Sequence, residues 1–240
     1  MLLASDAPVG VIFRRGPSKL VRSILWNRDT DKFTPGQWFK GKIYPDRSDV
    51  SPDGRHMIYF AMGGVAWAIP KTGGTWTAIS QVPSLTALAI WPQGDTRGGG
   101  GIFASNSSYW PDTYREPLRD DTKLKRVSTK PAPSRMERDG WLQKETGRKT
   151  KVFVVFEKPL AKGWTLRLKQ NFLKDRYELE QREHALRLEF PTWEWEEWDR
   201  KRLVWAERGR VCTATLGTEG LGSARTLCEF NPMIAPRARL

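Results

Sequence analysis

Three short runs carry residue types at spacings that chemistry can use. KLKRVSTK puts Lys123, Lys125, Arg126 and Lys130 into one stretch, and each phosphate neutralised by such cations adds a salt-dependent increment to affinity. RGGGGIF sets Arg97 beside successive glycines whose amides are able to cradle an anion. EWEEWD and the tryptophan before it offer two chemistries. Trp193 and Trp195, two apart on a strand, are expected to share a face, either as core wedged between sheets or as a stacking platform for bases or sugars. Glu194 and Glu196 are the kind of carboxylate pair that glycoside hydrolysis uses.

Most of these chemistries lack a required second part. No Gly-Lys-Ser/Thr follows the glycines, so no phosphate loop is predicted. The run reads instead as a connection where another backbone passes close. Glu194 and Glu196 on one face are badly placed to flank a bond from both sides. His56 and His184 have no second His or Cys at ligand spacing. Gly-x-Ser-x-Gly is absent, and the hydroxyls of ASNSSYW (104–110) have no base in evident reach. Cys212 and Cys228 fall at strand positions and read as inert, reduced thiols. The sequence therefore predicts no catalytic residue, no metal site and no cofactor. The candidate binding residues are Lys123, Lys125, Arg126, Lys130, Arg97, Trp193 and Trp195.

The elements that must hold these residues are strands. VGVIFRR (9–15), KLVRSILW (19–26), QWFKGKIY (37–44), HMIYFAM (56–62), VAWAIP (65–70), TWTAIS (75–80) and LTALAIW (85–91) are short, β-branched or aromatic, and bounded by turn residues. NRDTDKFTPG between the second and third is expected to be a loop. HMIYFAM is apolar almost throughout and predicts an inner strand covered on both faces. Gly63-Gly64 is expected to turn it into a hairpin with 65–70. Further on, KVFVVFEK and GWTLRLK (151–169) predict a second hairpin. In 171–190, YELE and ALRLEF alternate around QREH, which predicts a third. The charged, proline-bearing stretch 112–138 reads as a long surface excursion.

The recipe Asp, basic exit, apolar strand, glycine turn, second strand occurs at 53–70 and again at 199–216. Such recurrence is the mark of a repeat architecture. DVSPDGRHMIYF (49–60) resembles the Asp-x-Ser-Pro-Asp-Gly signature of TolB-like and WD40-like bacterial β-propellers. WPQGDTRGGGGIF and WEWEEWDRKRLVWAERG resemble blade segments of an uncharacterised propeller-like family. The resemblance implies partner binding and no activity carried by the motif.

The expectation is an all-β chain: a small β-propeller of about five four-stranded antiparallel blades, in one domain over 1–240, with a β-sandwich as the alternative. Of the 240 residues, 40 are Lys or Arg and 27 Asp or Glu, a formal net charge of +13. That charge attracts polyanions and acidic surfaces. The leading functional expectation is a non-catalytic protein-interaction scaffold, its partner another protein. The alternatives are a basic propeller that binds nucleic acid or another polyanion, and a hydrolase or lyase with a carboxylate-lined channel. No stretch of about 18 apolar residues occurs, and MLLASDAPVGVIFRRG lacks a basic leader. A cytoplasmic location and no membrane partner are therefore expected.

Overall fold

A computed structural model describes residues 1–16, 19–63, 68–146, 152–171 and 175–235. The chain is all-β, and its strands form two compact units, Met1–Ser134 and Arg135–Met233.

The first unit opens with β1 (Leu2–Leu3), β2 (Val9–Arg15), β3 (Leu20–Asn27) and β4 (Lys32–Lys40), a four-stranded meander in chain order, sheet I. β5 (Lys42–Val50), β6 (His56–Met62), β7 (Thr75–Gln81) and β8 (Ala87–Pro92) follow as a second meander. Next come β9 (Gly101–Ser105), β10 (Ser108–Pro111) and two short strands, β11 (Arg119–Asp120) and β12 (Lys125–Arg126). β11 adds to the β8 edge and completes sheet II; β9, β10 and β12 make sheet III, where β12 runs parallel to β10.

The second unit holds sheet IV: β13 (Leu142–Thr146), β14 (Val152–Pro159), β15 (Trp164–Asn171), β16 (Arg176–Gln181) and β17 (Leu186–Phe190). Sheet V follows: β18 (Trp193–Asp199), β19 (Arg202–Glu207), β20 (Arg210–Ala214) and β21 (Arg225–Glu229). Helix is confined to the one-turn segments α1 (Ala68–Thr72) and α2 (Arg135–Arg138) and a 3₁₀ turn at Ala161–Gly163 among the described residues. No helix of the described residues is long and apolar enough to cross a membrane.

Alternation explains how the sheets pack. β6 is buried over its middle, and its successive residues feed two cores. Met57, Tyr59 and Ala61 join Leu2, Val11 and Val21 of sheet I. Ile58 joins Phe103 and Tyr109 of sheet III. Sheet II is thus covered by sheet I on one face and sheet III on the other. In the second unit, Leu166, Leu168 and Leu179 of sheet IV pack with Trp193, Leu203 and Trp205 of sheet V.

The SPDG turn positions β6. Gly54 takes φ +72, a conformation glycine adopts without a Cβ penalty. The Ser51 hydroxyl accepts the His56 backbone N–H at 3.0 Å and donates to the Asp53 carboxylate at 2.6 Å. Asp49, wholly buried, accepts the Phe103 backbone N–H at 2.8 Å and so ties sheet II to sheet III.

Three expectations need correction. Residues 37–44 are not one strand. The chain bends at Gly41 and passes from sheet I to sheet II, and a Cβ there would stand 2.3 Å from the Met62 carbonyl oxygen. Of the expected loop 27–36, residues 32–36 are strand. β4 is a sheet edge, where Pro35, lacking an N–H, is tolerated. Of the strand expected at 65–70, Ala68 onward is helical, while 65–67 lie outside the described residues. β6 pairs with β5 and β7, so neither of its edges is free for that segment. The hairpins at 151–169 and 171–190 form as β14–β15 and β16–β17.

Candidate docking cleft

A cleft of about 840 Å³ opens in the first unit, within the 300–1,000 Å³ of typical ligand sites. Three pieces of chain build its wall: the turn after β8 (Gln93 to Gly98), the end of β10 with the loop beyond it (Trp110 to Glu116), and β12 with its exit (Arg126 to Ser128).

Each piece is anchored from behind. Gln93 donates through Nε2 to the buried Thr77 hydroxyl at 3.1 Å, and the Thr75 hydroxyl donates to the Asp95 carbonyl at 2.8 Å. Asp95 accepts the Arg97 backbone N–H at 2.9 Å, an Asx turn. Arg47 Nη1 donates to the carbonyls of Thr96 and Gly98 at 2.7 and 2.9 Å. The glycines behind Arg97 are there for close packing. A Cβ on Gly100 would stand 1.8 Å from the Arg47 carbonyl oxygen, and one on Gly101 would meet the Trp110 carbonyl at 2.4 Å. Two backbones touch here, as the sequence reading expected.

Charge at the mouth is unevenly paired. Arg126 is tied down, donating through Nη2 to the Thr113 carbonyl at 2.9 Å with Glu116 3.9 Å away. The exposed Arg97 and the guanidinium of Arg115 have no carboxylate partner among the described residues. Lys130 Nζ lies 5.7 Å from the Trp110 ring centroid. Tyr114, also on the cleft lining, is 92% exposed.

The cleft brings together Arg97 and Arg126, with Lys130 on its tryptophan. It leaves out Lys123 and Lys125. Leu124 between them packs against the sheet II–III core, and both lysines point to solvent. Arg115, Tyr114 and Trp110 were not anticipated. Their signal was the two aromatics and the arginine of WPDTYRE (110–116), a run that crosses into the charged stretch 112–138.

The tryptophan platform does not form. The β18–β19 register steps from Trp193↔Glu207 to Trp195↔Ala206, so Glu194 is an extra, bulged residue. Trp193 and Trp195 consequently face opposite sides. Trp193 is core, stacked on Phe190 at 3.7 Å and on Trp205 at 4.9 Å, whereas Trp195 is half-buried outside that cluster.

The same bulge separates the carboxylates. Glu194 is exposed and accepts the Arg208 backbone N–H at 3.2 Å. Glu196 and Glu197 are buried. Glu197 forms an ion pair with Lys158 and accepts the Trp141 indole N–H at 3.3 Å. Burial pushes its pKa up, and Lys158 pulls it part of the way back. Glu196 is pushed well above the ordinary carboxyl value by burial, then by Glu197 and Asp175. Carboxyls that do not reach solvent cannot flank a substrate bond.

Ser51, Asp53 and His56 lie close but do not make a nucleophile and its base. The serine hydroxyl is occupied by the Asp53 carboxylate and the His56 backbone amide, and burial lowers the His56 pKa. Cys212 is buried and burial pushes its thiol up, which suppresses thiolate chemistry. No group of three or more His, Cys, Asp or Glu among the described residues is arranged to hold a metal ion.

No family model matches the chain, and no curated protein matches it.

Proposed function

We propose that the chain is a non-catalytic interaction scaffold of β-propeller type that docks another protein at the loop-lined cleft of its first unit. Sheet II, covered by a neighbour on each face, supports blade-like stacking, since a layer of a two-layer sandwich is covered on one face only. The buried Asp49 of the SPDG signature supports it further, because it ties one sheet to the next.

The observation that carries the docking role is Tyr114, 92% exposed and flanked by the unpaired guanidinium of Arg115 at the mouth of a cleft whose walls are hydrogen-bonded from behind. Tyr, Trp and Arg are the residue types that dominate binding energy at protein interfaces, and loops on a rigid framework are where such groups are displayed. The free arginines favour an acidic segment on the partner.

The test is affinity capture from the native host with wild-type bait, followed by titration of the captured protein against Tyr114→Ala and Arg115→Ala. Either change should weaken binding by about thirtyfold, the ~2 kcal/mol of a hot spot. A captured partner that binds both variants as tightly as wild type overturns the cleft as the docking surface.

A further inference from the structure

Cations gather a second time in the first unit, at one end of sheet I. Residues 7–28 and 32–45 contain no Asp or Glu. Arg14, Arg15, Lys19, Arg22, Lys40 and Lys42 come from these stretches, and backbone pairing collects them. Gly16 donates to the Leu20 carbonyl at 2.7 Å and closes the β2–β3 end. Gly41 donates to the Lys19 carbonyl at 2.7 Å and brings the β4–β5 junction beside it. Arg14, Arg22 and Trp38 are successive partners in one cross-strand row, and Lys40 pairs with Leu20.

Arg15, Lys19, Lys40 and Lys42 are exposed, with Arg14 and Arg22 half-buried behind them. None of the six has a carboxylate partner among the described residues. Arg22 is held in place, its guanidinium 5.2 Å over the Trp38 ring and Nε donating to the Gly36 carbonyl at 3.2 Å. The Lys42 ammonium sits 4.2 Å over the Tyr44 ring. Arg14 Nε is buried without an acceptor. Asp29 and Asp31 are in the turn at the far end of the sheet, after β3. Same-sign charges this close repel, and their summed field reaches about 8 Å into physiological salt.

We propose that this end of sheet I binds the sugar–phosphate backbone of nucleic acid, independently of base sequence. A duplex carries one negative charge per ~1.7 Å of axis. An extended acidic peptide presents same-side carboxylates only every second residue, about 7 Å apart. Six cations drawn from stretches without Asp or Glu, none ion-paired among the described residues, match the denser, single-signed polyanion. This surface is separate from the cleft and does not depend on the docking reading.

The experiment measures fluorescence anisotropy of a labelled 20-base-pair mixed-sequence DNA duplex with the intact chain, over a salt series. Wild type should bind with log Kd rising by about 0.9 per phosphate contact for each decade of salt, a total slope of about 4–5. The exposed-site variant Arg15→Ala/Lys19→Ala/Lys40→Ala/Lys42→Ala should lose more than tenfold in affinity and about 3–4 in slope. The pair Lys40→Ala/Lys42→Ala, the milder change, should lose about 2 in slope. Lys123→Ala/Lys125→Ala, outside the patch, should match wild type, and circular dichroism should show every variant folded. No binding by wild type at low salt, an equal loss in the Lys123/Lys125 control, or equally tight and equally variant-sensitive binding of poly-glutamate or phosphatidylserine vesicles overturns the proposal.

Discussion

Glu196 stands opposite Trp205 in the β18–β19 register, and both of its carboxylate oxygens are buried without a hydrogen-bond partner. An ionised carboxylate there would be costly, so the group is held neutral far above the ordinary carboxyl value of 4.5, by burial first and by Glu197 and Asp175 after it.

That neutrality sets a pH dependence. Below about pH 4.5 folded and unfolded chains are both protonated at this position and no proton-linked cost arises. As pH rises past that point the unfolded chain releases the proton while the folded chain keeps it, so stability falls. Glu178 works in the opposite sense. Burial pushes its carboxyl up, but hydrogen bonds from Lys169 and Arg187 outweigh burial and leave it lowered, so its contribution is lost as pH falls. Glu196→Leu should raise Tm at both pH values, and by more at pH 8 than near pH 4.5. Each ~1 kcal/mol relieved is about 4–8 °C for a unit of this size. Differential scanning calorimetry at the two pH values checks it; a variant equal to wild type at pH 8 refutes the buried-acid account.

Lys158 and Glu197 form an ion pair with side chains only 15% and 10% exposed. Removing the cation alone strands a buried carboxylate, so Lys158→Met should cost about 3–5 kcal/mol in urea unfolding. The double variant Lys158→Met/Glu197→Met removes both charges and should recover most of that loss. Additive single-variant costs would mean that the two groups do not act as a pair.

Gly54 and Gly163 share a left-handed backbone, φ +72 and +73, but differ in surroundings. A Cβ on Gly54 would come within 2.6 Å of Val9 Cβ, whereas one on Gly163 meets nothing within 4 Å. Gly163→Ala should cost only the backbone penalty, ~1–2 kcal/mol. Gly54→Ala adds a clash at the turn that starts β6 and should cost clearly more. Equal losses in chemical denaturation would remove the SPDG turn from the fold's determinants.

Trp205 is 3% exposed and stacked on Trp193 at 4.9 Å. Trp205→Ala should cost about 3–5 kcal/mol. Trp195→Ala, on the opposite face and half-buried, should cost less than half as much. The two urea midpoints separate core from platform, and reversed costs would restore the platform.

The linear order of residues determined the things that depend on near neighbours. Period-2 alternation and turn dipeptides marked β2, β3, β6, β7, β8, β14–β17, β19 and β20, and an inner strand covered on both faces was legible in the unbroken run 56–62. It also marked the glycines at 98–101 as a close backbone approach. Tertiary structure decided whatever depends on which strand lies alongside. The one-residue bulge at Glu194 puts Trp193 and Trp195 on opposite faces and buries Glu196, because register against β19, not spacing along β18, sets the side each residue takes. Arg97 and Arg126 meet in one cleft because β10 bridges β9 and β12. Six scattered cations become one patch because the Gly41 amide finds the Lys19 carbonyl. Pairings of this kind bring together segments distant along the chain, and no local pattern encodes the partner.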